Sequence, residues 1–161
     1  MWVKPDAVDS DYHNLIIKNN QGVFSYILQL TNSNIFIFGV GSAATGAPSA
    51  TGSTTIPTVN KWYHVAGVYN GTYIAIYVNG NFERSTLYSG GVYQQPTIPV
   101  FIGSAVDSGF FNGTIDEVRI WNYPKSSAEI KAGYQAEIGK YYADFTHLSF
   151  GNYLYYAWTN V

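Results

Sequence analysis

The chain has 161 residues, of which 47% are hydrophobic, 17% aromatic and only 11% charged, and none is cysteine. This length fits one domain with a true hydrophobic core, and the lack of cysteine excludes disulfides and thiolate metal sites. The formal net charge is −2, the eight basic residues are scattered singly and no run of about 18 apolar residues occurs, so we expect neither a nucleic acid partner nor membrane insertion of this segment.

Short runs of β-branched and aromatic residues follow one another along the chain, separated by Gly, Asn, Ser or Pro. This pattern predicts an all-β sandwich. The predicted strands are 13–19, 23–31, 35–40, 61–69, 72–79, 82–88, 100–103 and 114–121. The segment 39–57, rich in small residues, is predicted to be a loop followed by an edge strand.

Two Asn-Gly pairs, at 70–71 and 79–80, predict type I′ hairpin turns, because both central residues of such turns need a positive φ. These turns would join three strands into an antiparallel meander. In the middle strand, alternation predicts four residues on the core face: Thr72, Ile74, Ile76 and Val78.

Two features are predicted near the end of the sandwich. Val118 and Ile120 share one parity and Ile115 has the other, so burying all three requires a β-bulge near Asp116 and Glu117. One short helix is predicted near 126–133. Residues 126–129 have the spacing of a capping box, and Gly133 is predicted to end the helix.

Several segments resemble, in order and spacing, the laminin G-like (LamG-like) branch of the concanavalin A-like lectin/glucanase superfamily. They are Trp2-Val3-Lys4-Pro5, 61–71, 76–80, 101–103, 111–121 and 126–130. The resemblance implies a two-sheet antiparallel jelly-roll sandwich from an extracellular or cell-surface protein. It also implies one or two strands before Trp2, so we expect 1–138 to form a LamG-like sandwich without its first strand or strands.

The end of the chain resembles another kind of sandwich. Leu148-Ser149-Phe150-Gly151-Asn152-Tyr153 is similar to the tyrosine corner of immunoglobulin-like domains. We therefore expect 139–161 to form a hairpin-like tail, which is either the stub of a following Ig-like domain or a strand docked on the sandwich. The tail or an exposed strand edge would also allow a homo-oligomer.

The sequence lacks the signatures of a hydrolase site. Retaining glucanases use two carboxylates about 5 to 5.5 Å apart, whereas Asp116 and Glu117 are adjacent and would point to opposite faces of a regular strand. Cysteine and a Gly-x-Ser-x-Gly motif are absent, and the three histidines are far apart, with His64 predicted to be structural and hydrogen-bonded. We expect no enzyme, and a glycoside hydrolase is the least favoured alternative.

Calcium is the cofactor that the resemblance implies. LamG-like sandwiches often hold one such ion through carboxylate and carbonyl oxygens. Asp116 occupies the position that resembles a calcium-ligand strand of related glucanases, and Asp107 is a second candidate. In the alternative, Asp116 caps the bulge and Glu117 pairs with Arg119 or Lys125.

Four aromatic residues in turn-like stretches are candidates for a sugar-binding surface, because they lie beside Ser, Asn, Gln and Asp. They are Tyr12, Tyr88, Tyr93 and Phe110. We therefore expect a non-catalytic extracellular recognition or adhesion module that binds a glycan or a cell-surface protein through its rim loops. The alternative is a structural spacer domain of a multidomain surface protein.

Overall fold

The computed structural model describes residues 1–20, 22–44, 48–105 and 108–142. Their strands form two antiparallel sheets. The first sheet contains, in spatial order, β10 (Gly113–Asp116), β1 (Trp2–Pro5), β6 (Tyr63–Tyr69), β7 (Tyr73–Val78) and β8 (Asn81–Leu87). The second contains β5 (Pro48–Gly52), β4 (Phe36–Gly41), β3 (Val23–Leu30), β2 (His13–Asn20) and β9 (Phe101–Ile102). The predicted two-sheet sandwich is confirmed, and β5 is the predicted edge strand.

The hydrophobic core lies between the facing surfaces of the two sheets. Leu28 and Leu30 of the second sheet pack with Val65 and Ile76 of the first, and none of these side chains is more than 4% exposed. In β7 the predicted core residues Ile74, Ile76 and Val78 are buried, whereas Thr72 precedes the strand and is exposed. The period-two pattern therefore predicted the core face of β7 correctly within the strand itself.

The helix α1 (Ser127–Tyr142) covers the outer face of the first sheet. Ile130 packs on Ala75 and Tyr77, which explains why both faces of β7 are buried. The helix is longer than predicted, since Gly133 lies within it and does not adopt the positive φ of a C-terminal cap. Among the described residues, no helix combines the length and apolar character needed to cross a bilayer.

The two Asn-Gly turns differ. Asn79 and Gly80 both have positive φ, 50° and 74°, so the type I′ turn between β7 and β8 is confirmed. At the other turn only Gly71 has a positive φ, and the type I′ prediction there is wrong. Instead, the Asn70 Oδ1 accepts hydrogen bonds from the amides of Thr72 and Tyr73, which widens the turn.

The predicted strand 114–121 ends early. β10 stops at Asp116, and Glu117 has a φ of 48°, which turns the chain out of the ladder. Ile115 and Val118 still pack against the core, but Ile120 is 60% exposed. The location of the irregularity is therefore confirmed, while a bulge inside one continuous strand, with Ile120 buried, was wrong.

The tail 143–161, including the corner-like motif at 148–153, lies outside the described residues. α1 itself continues through the domain boundary expected at 138.

Candidate functional site

The outer face of the second sheet holds a groove of about 660 Å³. Leu28 and Leu30 of β3 point into the core, so Ile27 and Gln29 point the other way. Their directly paired neighbours on β2, Ile17 and Asn14, share that face. The floor of the groove thus has an apolar centre, with carboxamide side chains beside it.

Two exposed aromatic rings line this groove. Tyr12, 52% exposed, immediately precedes β2, and Phe110, 66% exposed, belongs to the loop that follows β9. The Asn14 amide donates to the Gly109 carbonyl at 2.8 Å, which joins this loop to β2. Gly109 has a φ of 63°, and a Cβ there would collide with the Asn14 side chain. Glycine at this position therefore allows the loop to approach the groove.

The buried His13 side chain contacts the same loop through its ring. Its Nδ1 lies 2.7 Å from the Phe110 carbonyl oxygen and its Nε2 lies 2.8 Å from Asp9 Oδ1. Both partners are acceptors, so both ring nitrogens donate only when the ring is protonated. Burial lowers the pKa of His13, but these two hydrogen bonds outweigh burial and raise the pKa above its usual value. In its protonated form, His13 donates to both acceptors and so holds the Phe110 carbonyl in place.

The four aromatic candidates from the sequence do not converge. His13 pairs with Leu30, which pairs with Phe36 at the start of β4, so Tyr12 and Phe110 lie at that end of the sheet. The Tyr93 amide donates to Gly41 at the other end of β4. Tyr88 lies beside this second position, since its hydroxyl donates to the Gly91 carbonyl at 2.9 Å. Of the four, only Tyr12 and Phe110 line the groove.

The polar groove residues were missed from the sequence. Asn14 and Gln29 are only 6% and 7% exposed, and Asn19 Oδ1 has no hydrogen-bond partner among the described residues. Buried polar atoms are normally satisfied, so an amide acceptor in this groove is available to a ligand hydroxyl or a water. Carboxamide residues within predicted strands, Asn14 and Asn19 in β2 and Gln29 in β3, were the signal that would have identified these residues.

The carboxylates proposed for calcium do not assemble a site in the described residues, which contain no cluster of three or more acidic, histidine or cysteine side chains suited to a metal. Asp116 Oδ1 accepts a hydrogen bond from the Glu117 amide at 2.7 Å, and Glu117 pairs with Arg119. This arrangement matches the capping alternative. Asp107 lies outside the described residues. Calcium binding therefore stays a prediction, without ligands assigned to it.

A buried polar cluster joins α1 to the first sheet. Glu137 accepts a hydrogen bond from the Trp2 indole at 2.8 Å and pairs with Arg119. The His64 ring meets Trp2 edge to face and lies tilted against Tyr134, and burial lowers its pKa to about 4. Its Nδ1 has no hydrogen-bond partner among the described residues.

A second cavity, of about 1030 Å³, lies between the sheets and beneath α1. Leu28, Val40 and Val65 from the two core faces form part of its lining. Its lining also includes charged side chains, but Arg119 pairs with Glu117 and Glu137, and Lys125 pairs with Glu129, so these groups already have partners. The groove is the better candidate for recognition of a hydroxyl-rich molecule.

Residues 1–131 match a laminin G family of the concanavalin A-like lectin/glucanases superfamily. Since this match covers most of the chain, the chain belongs to that superfamily. A search of the curated proteins finds no match.

Solved structures with this fold include several proteins whose names mention carbohydrates. CBM40 of the Ruminococcus gnavus IT-sialidase is 14% identical, with a TM-score of 0.66 over 83% of this chain and 79% of that chain. The same module has been solved with α2,3-sialyllactose. Domain 4 of AbnA, an extracellular arabinanase of Geobacillus stearothermophilus solved with arabinotriose, is 17% identical, with a TM-score of 0.62 over 81% of this chain and 62% of that chain.

A Bacteroides ovatus protein of suspected carbohydrate-binding function is 19% identical, with a TM-score of 0.67. The alignment covers 81% of this chain but spans only 38% of that protein. At these identities the likeness shows a shared fold, and function must be argued from the site.

Proposed function

We propose that this chain is a non-catalytic carbohydrate-binding module whose ligand lies in the groove between Tyr12 and Phe110. The single observation behind this proposal is the combination of two exposed rings with carboxamide side chains on one concave surface. Sugar rings have apolar faces that stack on aromatic rings and hydroxyls at their edges that bond to amides. The groove offers both kinds of partner at once.

The structural neighbours support the same class of ligand. The sialidase CBM40 and the arabinanase domain were each solved with an oligosaccharide, and both share this sandwich fold. The arabinanase that contains the second of these domains is extracellular, and on this basis we propose an extracellular or cell-surface location for this chain. Recognition of a protein partner stays an alternative within the same proposal.

The absence of catalysis is part of the proposal. Asp116 and Glu117, which are adjacent acidic residues at the end of β10, are engaged by a backbone amide and by Arg119 respectively. Among the described residues that line the groove, Asp11 alone carries a carboxylate. A retaining glycosidase needs a second one about 5 to 5.5 Å away. We therefore expect no hydrolysis of the glycans that bind.

The proposal is tested with a glycan array followed by calorimetric titration of the strongest oligosaccharide. We expect Tyr12→Ala and Phe110→Ala each to weaken binding about tenfold, the usual cost of removing an aromatic anchor. Tyr73→Ala is the matched control, because Tyr73 is 45% exposed on β7 of the first sheet, away from the groove.

The control variant should bind as the parent chain does, and all three variants should keep the parent melting temperature. If the Tyr12 and Phe110 variants bind as tightly as the control, the ligand lies elsewhere and the groove is the wrong site. If no glycan binds, a structural spacer becomes the better description of the chain.

A further inference from the structure

We propose that the groove selects neutral glycans over acidic ones. This inference rests on the proposed carbohydrate-binding function and adds the chemical class of the ligand. It follows from where the chain places its charges.

Lysine and arginine side chains are absent from the described lining of the groove. The residues outside the description, at 21, 45–47, 106–107 and 143–161, contain no lysine or arginine either. Seven of the eight basic residues belong to the first sheet, to α1 or to their flanking segments: Lys4, Lys61, Arg84, Arg119, Lys125, Lys131 and Lys140. Acidic sugars are usually bound by charge-assisted hydrogen bonds from such residues.

Lys18 is the eighth basic residue and the one on a strand of the groove. It lies between Ile17 and Asn19, which both line the groove, so alternation along β2 directs it to the other face. Its paired neighbour across the ladder, Tyr26, packs against the core, which confirms that direction. Lys18 is therefore placed away from a ligand in the groove.

The charged groups that do face the groove are acidic or already paired. Asp11 lines the groove, and its amide donates to the Asp9 carboxylate at 2.9 Å. The one basic ring, His13, points its nitrogens at Asp9 and at the Phe110 carbonyl. A carboxylate or sulfate on the ligand would meet Asp11 without a free counterion. The hydroxyls of a neutral glycan would instead be placed to hydrogen-bond to the side-chain carboxamides of Asn14 and Gln29.

The test compares one bound neutral oligosaccharide with its sialylated, uronic acid or sulfated form by calorimetric titration. We expect the acidic form to bind at least about fivefold more weakly, the effect of one close like-charge pair in water. The affinity for the neutral form should change less than about twofold between roughly 0.05 M and 0.5 M NaCl, since no ion pair forms.

Asp11→Lys reverses the charge at the groove, and Asp6→Lys makes the same change of charge at an exposed residue outside its lining. Only Asp11→Lys should narrow or reverse the preference for the neutral form. Equal or tighter binding of the acidic form by the parent chain overturns the selectivity and leaves carbohydrate binding intact. The selectivity is also contradicted if Asp11→Lys and Asp6→Lys show the same preference for the neutral form. Failure to bind any glycan overturns the proposed function, and the selectivity with it.

Discussion

Glu83 shows how one side chain can join the two sheets. It lies on β8, at the edge of the first sheet, and its carboxylate accepts hydrogen bonds from the amides and hydroxyls of Thr54 and Thr55, which follow β5 of the second sheet. Burial raises the pKa of Glu83, but the hydrogen bonds from Thr55 and Thr54 outweigh burial and lower it below its usual value. The folded state therefore favours the ionised carboxylate.

We expect Glu83→Ala to lower the free energy of unfolding by about 1 kcal/mol, a value reduced for solvent screening at this partly exposed site. Because the folded pKa is lowered, the contribution of Glu83 is present above pH 4.5 and is lost as the pH falls through the folded pKa. Urea unfolding at pH 7 and pH 3 measures both effects. Arg84→Ala, at the exposed next residue, should have little effect at either pH.

Single residues also show where sequence reasoning reached its limit at the site. Tyr12 and Phe110 are exposed aromatic residues beside polar neighbours, but Tyr88 and Tyr93 met the same sequence criterion and lie at the other end of the sheet. Tyrosine is too abundant here, with 15 copies, for a local criterion to separate them. What separates them is strand pairing across the sheet, which no local pattern contains.

Among the elements, α1 depends on local signals at its start and on packing along its length. Ser126 and Glu129 form the predicted capping box: the Ser126 amide donates to Glu129 Oε2 at 2.8 Å and the Glu129 amide donates to Ser126 Oγ at 3.3 Å. These bonds satisfy amides that a helix start otherwise leaves free.

Ser126→Ala should therefore lower the free energy of unfolding by about 1 kcal/mol. Lys131→Ala, at an exposed position inside the same helix, is the control and should be close to neutral. Chemical denaturation followed by tryptophan fluorescence measures both, since Trp2 lies beneath the helix. Equal effects of the two substitutions would contradict a specific role of the cap.

Most elements were predictable because their signals are local. Seven of the eight predicted strands appear within two residues of their predicted ends, and the capping box gave the start of α1. The end of α1 was not predictable, because Gly133 is a helix terminator by propensity, while packing of Ile130 and Tyr134 on the first sheet supports the longer helix. Ile120 was misjudged for a similar reason, as the left-handed Glu117 breaks the alternation on which its burial depended.

At the scale of the whole molecule, we expect one outer face of the sandwich to contribute to stability and the other to ligand binding. α1 covers the first sheet and buries Ala75 and Tyr77, so that face contributes to stability. The second sheet holds the groove on its own outer face. This division predicts that substitutions beneath α1 change stability without changing glycan affinity. Substitutions in the groove should change glycan affinity without changing stability.

The buried interface between α1 and the first sheet should make the whole molecule sensitive to acid. Burial, with a smaller effect of the Met1 amino group, lowers the pKa of His64 from 6.5 to about 4, although Glu137 opposes the shift. Between those two pH values the unfolded chain binds a proton at His64 and the folded chain does not. The free energy of unfolding therefore decreases as the pH falls from about 6.5 to about 4.

His64→Phe keeps an aromatic ring against Trp2 and Tyr134 but has no group that titrates. We expect the parent chain to lose on the order of 2 kcal/mol more than this variant between pH 6.5 and 4. Denaturant unfolding of both proteins across this range measures the difference. Both proteins retain Met1, Arg119 and Glu137, so the difference reports the loss of His64 together with its coupling to these groups. If the free energies of unfolding of the two proteins change with pH in parallel, His64 binds its proton equally well in the folded and the unfolded state. His64 would then be solvated in the folded state, which contradicts its burial beneath α1.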